Sequence, residues 1–173
     1  MSTFDSHVSH EEAQNPVRTA DPGTDPILER FLSGHRTLGE LEGIPKTSQY
    51  EMARVGHLLL TEGRLAQAGH VFEGLHALDP FDAYFLTALG SIALQDGRLE
   101  VAEAKYTRAL EINPYSVPAR AHRAEVRVLR GRVEEAGEDL SRVAEEDPTR
   151  RDPAARRAAA LAQVVLGQLA AQT

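Results

Sequence analysis

Cysteine is absent from this chain, which excludes disulfides, thiolate metal sites and cysteine nucleophiles and fits a cytoplasmic location. A long apolar run is absent as well. No stretch reaches the roughly 20 residues that a membrane helix needs; the longest candidate, Ala158 to Ala171, is short, alanine-rich and broken by Gln163, Gly167 and Gln168. The amino terminus, "MSTFDSHVSHEEAQNP", has neither the basic start nor the apolar stretch of a secretory signal. The expected location is therefore the cytoplasm, without membrane insertion. Among the 19 basic residues only Lys46 and Lys105 are lysines, which suggests a genome rich in G and C and says nothing of function.

The patterns of catalysis are missing too. No glycine-rich phosphate loop occurs, "LGSIA" around Ser91 lacks the second glycine of a nucleophile elbow, and "HEEAQ" at His10 lacks the second histidine of a zinc helix. The seven histidines are scattered, and His70 and His76 stand six apart, a poor spacing for one helical face. The sequence reads as non-enzymatic, with no metal and no cofactor. Nucleic acid is not an expected partner either. The arginine-rich stretch from Arg120 to Arg157 holds ten arginines and nine acids, a surplus of about one, whereas a phosphate-binding face needs one that persists after local pairing. Within it "RVEEAGEDLSRVAEED" reads as a solvated helix face.

What is present is 173 residues, 42% of them hydrophobic, enough for one domain with a sizeable core. The formal charge of −7 is uneven. Residues 1 to 27 carry five acids and one base, with Pro16, Pro22, Gly23 and Pro26 and few apolar groups to bury, so residues 1–24 are expected to be a disordered acidic tail.

The chain then repeats. "EGRLAQA" at Glu62, "DGRLEVA" at Asp96 and "RGRVEEA" at Arg130 begin 34 residues apart, and Pro80, Pro114 and Pro148 keep that interval. This is the period of the tetratricopeptide repeat, a helix-turn-helix unit. The predicted fold is all-α: three tetratricopeptide hairpins (about 49–80, 83–114 and 117–148, within 47–148) in a right-handed α-solenoid, preceded by a helical segment at 25–46 and closed by a capping helix at 149–173. In the middle unit Asp82 caps a first helix whose stripe is Leu86, Leu89 and Ala93. Gly90 allows close approach, Gly97 makes the turn, and Ala102, Tyr106 and Ala109 line the second helix, which Asn113-Pro114 ends. In the first unit Ser48 and Glu51 read as a capping box, with Met52, Val55 and Leu59 as the inward stripe. The third carries Arg120, Arg123 and Arg127 where an apolar stripe is expected; their long stems can cover apolar surface. Asp152 and Pro153 open the last helix, with Leu161, Val165 and Leu169 as its stripe.

Stacked hairpins line a concave groove with their first helices. By helical phase its lining is Tyr50, Ala53, His57 and Leu60, then Tyr84, Thr87, Ser91 and Leu94, then Pro118, Ala121, Glu125 and Val128, some of which can instead complete the core. A lysine-arginine-asparagine clamp for chaperone tails is not evident, since lining positions carry Ala53, His57, Ala88, Pro118 and His122. The expected ligand is an extended segment with small apolar side chains. On this reading Leu60→Glu and Tyr84→Ala abolish capture without unfolding, whereas Ala102→Glu unfolds the domain.

In "ILERFLSGHRTLGELEGI", Ile27, Leu28, Phe31 and Leu32 give a short helix an apolar side until Gly34 stops it; Thr37 and Glu40 read as a second capping box before Leu38 and Leu41. These apolar residues either cap the stack or pair with a second subunit. With this segment before the block from Val71 to Pro114, the chain resembles the second class of type III secretion chaperones, which guard translocator proteins. The resemblance implies a cytoplasmic holding chaperone, commonly a homodimer. It would keep secreted, hydrophobic translocator proteins export-ready by binding an extended segment at Ala53, His57 and Leu60, with Tyr84, Ser91 and Leu94 opposite. The alternative is a general interaction scaffold in assembly of a secretion, motility or envelope complex.

Overall fold

The computed structural model describes residues 26–170. Among them the chain forms nine helices and no strand: α1 (Pro26–Leu32), α2 (Leu38–Leu41), α3 (Lys46–Thr61), α4 (Leu65–Leu78), α5 (Ala83–Gln95), α6 (Leu99–Ile112), α7 (Val117–Leu129), α8 (Val133–Glu146) and α9 (Pro153–Ala170). The expected disordered tail, 1–24, lies outside the described residues, as do the side chains of Ile27, Leu28 and Leu169. None of these helices is long and apolar enough to cross a membrane.

Three hairpins, α3–α4, α5–α6 and α7–α8, follow from turns that only glycine makes cheaply. Gly63, Gly97 and Gly131 have φ of 74°, 74° and 73°, the left-handed region that closes a helix and reverses the chain. The hairpins end where Asp79 and Asn113, extended before Pro80 and Pro114, leave the helical region. New helices then begin on side-chain caps. The Tyr84 amide donates to Asp82 Oδ1 at 3.0 Å and the Ala154 amide to Asp152 Oδ1 at 2.7 Å. Thr37 and Glu40 form the reciprocal box at the start of α2.

Between hairpins, α4 packs on α5, α6 on α7, and α9 on both α7 and α8; the first helices α3, α5 and α7 lie side by side. Inside hairpin two the helices meet at Gly90, where an added Cβ would stand 2.6 Å from Tyr106 Cε1. Ala102, Tyr106 and Ala109 are fully enclosed there. At the amino-terminal end α1 rests on α2 and α2 on α4. Gly39 of α2 is buried against Gln49 and the Leu78 carbonyl.

Three expectations are corrected. Ser48 and Glu51 form no capping box, because α3 starts at Lys46 behind Pro45 and Ser48 already lies inside its first turn. The inward face of α3 is Gln49, Ala53, Gly56 and Leu60, while Met52 and Val55 are exposed. Apolar residues stand on both sides of α3, and the small side chains decide between them: Gly56 lets Phe72 close to within 2.7 Å of where a Cβ would be. The stretch read as a solvated face on α8 is one only in part: Glu134, Glu138, Ser141, Arg142 and Glu145 are exposed, but Asp139 is buried and holds Arg123 at 2.7 Å and Arg127 at 2.9 Å. Arg120, Arg123 and Arg127 therefore fill the stripe position as ion-paired groups rather than as apolar stems.

Candidate peptide-binding groove

The concave side is built by α3, α5 and α7, each turning one face inward. At its amino-terminal head the rings of Tyr50, His57 and Tyr84 converge. Tyr84 stands 5.8 Å from Tyr50, 5.6 Å from His57, 5.7 Å from Phe85 and 6.3 Å from Phe72, centroid to centroid. Phe72 and Phe85 are wholly buried, so they form the rigid floor on which the half-exposed tyrosines sit. Tyr50 and Tyr84 keep 44% and 38% of their surface open to solvent. Both are amphipathic anchors of the kind that favours binding surfaces.

Charge organises the rim of this head. The Tyr50 hydroxyl donates to Asp82 Oδ2 at 2.8 Å, and Lys46 Nζ donates to the same oxygen at 3.1 Å and also to Asp79. The hydrogen bond to Asp82, together with burial and the nearby carboxylates, holds the Tyr50 phenol above its ordinary range. Burial raises Tyr84 and lowers His57, which keeps the imidazole neutral at neutral pH. Beside these groups opens a cavity of about 510 Å³ whose walls include Tyr50, Phe81, Asp82, Tyr84, Thr87, Ile112, Ser116 and Pro118. Its lining mixes rings, aliphatics and hydroxyls.

Farther along, Tyr106 donates to Ser91 Oγ at 3.2 Å and stacks on His122 at 5.6 Å. His122 lies 3.6 Å from Glu125 and 3.4 Å from Arg157 of α9. The Glu125 carboxyl is held below its ordinary range, chiefly by the His122 imidazole beside it, against the effect of burial. A smaller cavity of about 130 Å³ lies between Ala121, His122, Glu125, Arg157 and Leu161. The closing helix thus supplies part of the groove wall.

The predicted lining divides. Tyr50, His57, Tyr84, Ser91, Leu94, Pro118, Glu125 and Val128 keep exposed or partly exposed surface. Ala53 and Leu60 do not: they belong to the core with Ala68, Phe72 and Phe85, at 1% and 7% exposure. Thr87, Ala88 and Ala121 are likewise buried, and Thr87 Oγ donates to the Ala83 carbonyl at 2.8 Å. Leu60→Glu is thus a core substitution, and the expectation that it spares folding is withdrawn. The sequence reading missed Lys46, Asp79 and Arg157. Lys46 and Asp82 both stand where first helices of successive repeats begin, a coincidence of register that could have flagged the pair.

Among the described residues no group of three or more potential ligands is arranged to hold a metal. Paired helices at 34-residue spacing, small residues at their crossings and a concave face of first helices define a tetratricopeptide solenoid. Models of the tetratricopeptide repeat match residues 56–117 and 93–164, together more than half of the chain. The chain belongs to the tetratricopeptide-repeat family. Among solved structures it is similar to a type III secretion complex from Aeromonas hydrophila, at 22% identity and a TM-score of 0.72, over 83% of this chain and 97% of that one. The translocator chaperone SycD of Yersinia enterocolitica is similar at 20% identity and a TM-score of 0.67, over 74% and 97%. So is the first repeat domain of the protein Spaghetti (RPAP3) bound to an HSP90 peptide, at 21% identity and a TM-score of 0.65, over 73% and 96%. No curated protein matches the sequence. The resemblance to translocator chaperones read from the leading segment thus has its counterpart in the fold.

Proposed function

We propose that the protein is a cytoplasmic holding chaperone that binds an extended, apolar segment of secreted, hydrophobic translocator proteins in its concave groove before type III export. The observation that carries the reading is the ring cluster of Tyr50, His57 and Tyr84, half-exposed on a buried Phe72–Phe85 floor beside a cavity of about 510 Å³. A holdase needs only to occupy exposed apolar sequence, so the role requires no catalytic group. Two or three seated side chains contribute roughly 1.5–3 kcal/mol each, and after the costs of association the expected affinity is micromolar. We also place a homodimer in the proposal. Leu32 and the α3 face of Met52, Val55 and Leu58 are exposed, whereas α2 already rests on the stack. On this proposal Leu38 and Leu41 serve capping, and Phe31 with the exposed Leu32 serves pairing.

Similarity of nearly the same degree to an HSP90-peptide domain favours, as a second reading, a general peptide-binding scaffold in a secretion, motility or envelope assembly. Co-expression with the products of neighbouring genes, followed by mass spectrometry of what stays bound, separates the two. Capture of a protein with long apolar helices, lost in Tyr84→Ala, supports the chaperone. Capture of a folded assembly component supports the scaffold, and no capture by the groove contradicts both.

A further inference from the structure

We propose that the outer furrow between α8 and α9 seats an amphipathic helix of another protein, one that turns large apolar side chains into the furrow and lysines or arginines toward α8. The repeat itself marks this place. Gly56, Gly90, Ala124 and Ala158 stand 34 residues apart on the first helices α3, α5, α7 and on α9. In the first two hairpins the second helix lays a ring on that small residue, Phe72 on Gly56 and Tyr106 on Gly90; in the third, Leu140 and Ala124 share one core cluster. Helix α9 thus stands as the first helix of a fourth unit, packed on α7 and α8 as α7 is on α5 and α6. Among the described residues no second helix completes that unit, and the register places such a helix in the furrow.

The furrow is open and apolar. A cavity of about 460 Å³ lies among Gly137, Leu140, Ala144, Ala162, Val165 and Leu166, and a narrower one of about 110 Å³ carries it on past Ala158 to Asp147. Leu166 keeps 60% of its surface exposed. The same face of α6 is closed: Glu103 and Leu110 are buried and Thr107 accepts from Arg123, whereas 34 residues later Ser141 and Ala144 are exposed. A groove takes a helix through rows of contacts three and four residues apart, and Gly137, Leu140, Ser141 and Ala144 have that spacing. Charge selects the occupant. Along the rim of α8 Arg142 pairs with Glu145 at 3.1 Å, but Glu134 and Glu138 are exposed and enter no ion pair among the described residues. Glu134 lines the cavity itself, and Glu138 follows one turn on. Such a rim attracts basic side chains and disfavours this chain's own residues 1 to 27, which carry five acids and one base. By helical phase the furrow faces away from Arg157 and Leu161, the side of α9 that walls the concave groove, so the proposal stands apart from the groove reading.

The probe is a fluorescently labelled helical peptide of about 16 residues, with leucine and phenylalanine along one face and lysines on its flank, titrated into the full chain. A second peptide has glutamate in place of each lysine. The lysine peptide is expected to bind with a micromolar Kd, and the glutamate peptide about tenfold more weakly or worse. Leu166→Asp, at an exposed position, should lose binding; should it also lose its helical circular dichroism, Ala144→Asp, exposed as well, decides in its place. Glu134→Gln combined with Glu138→Gln should weaken the lysine peptide by about three- to tenfold, since exposed pairs contribute little each. Tyr84→Ala should bind it unchanged, and nuclear magnetic resonance shift changes should fall on α8 and α9. No binding, equal binding of both peptides, or binding lost in Tyr84→Ala and kept in Leu166→Asp overturns the proposal. A chain that takes no peptide but dimerises through this face, the dimer lost in Leu166→Asp, overturns it too and makes a second copy the occupant. Groove and furrow variants are scored separately, so failure here is distinct from failure of the groove reading.

Discussion

The first joint of the solenoid is closed by one large apolar cluster, whereas the second sets a buried ion network beside two smaller apolar ones. Where hairpin one meets hairpin two, Phe72 and Leu75 close on Phe85, Leu89 and Ile92. Where hairpin two meets hairpin three, Glu103 of α6 gathers Arg127, Arg130 and Arg132, and Arg127 links it to Asp139 inside hairpin three. Backbones come together at both places, but the balance of forces differs. Apolar burial is non-directional and grows with area, about 25 cal/mol per Å². A buried ion network depends on every partner, since desolvation must be offset by geometry. The first joint carries the aromatic head of the groove, and the second carries its far wall.

Substitutions can break this contrast. The largest effect is expected from Leu60→Glu, which forces a carboxylate into the first core; a loss of about 3–5 kcal/mol or more, seen as lost helicity at 25 °C, follows from an unpaired buried charge. Phe85→Ala should lower unfolding stability in urea by about 3–5 kcal/mol through lost transfer energy and a cavity. At the second joint Glu103→Gln keeps the shape and strands its arginines, for an expected cost of about 1–3 kcal/mol. Adding Arg127→Met should recover part of that loss, whereas no comparable rescue is expected for Phe85→Ala; strict additivity at the second joint would count against the network.

Acid provides a finer test. The Glu103 carboxyl is desolvated, which alone would raise it, but Arg127, Arg130 and Arg132 hold it below its ordinary value of 4.5. A lowered carboxylate stabilises the fold above the unfolded value and loses that contribution as pH falls through the lower folded one. The stability gap between the native chain and Glu103→Gln should therefore be constant above about pH 5 and shrink below 4.5; a gap that widens on acidification would reverse the assignment. Smallest of all is the stability change in Tyr84→Ala, about 1–2 kcal/mol for a half-exposed ring, set against complete loss of ligand capture.

The helices and turns were legible in the sequence because repeats fix them three times over: the glycine turns and the prolines stand where the 34-residue period puts them, and Asp82 and Asp152 are caps by residue type. The direction of α3 was not legible. Apolar side chains occupy both of its faces, and only the approach of Phe72 to Gly56, a contact between helices, selects Ala53 and Leu60 as inward. For the same reason part of the predicted groove proved to be floor. Charge counting treated the arginines and acids of residues 120–157 as mutually cancelling surface, since it cannot see that Arg120, Arg123 and Arg127 share a face aimed at Asp139. The ring cluster was half visible, as Tyr50 and Tyr84 in equivalent positions, but its polar rim joins residues 33 and 36 apart.

The central claim, that the concave face is where a ligand binds, is tested most directly by mapping a captured segment on the isotope-labelled protein by nuclear magnetic resonance. Shift changes centred on Tyr50, His57 and Tyr84 and running to Ser91 and Glu125 are the predicted result. Changes confined to the outer face of Met52, Val55 and Leu58, or to the α8–α9 surface around Leu166, would contradict it.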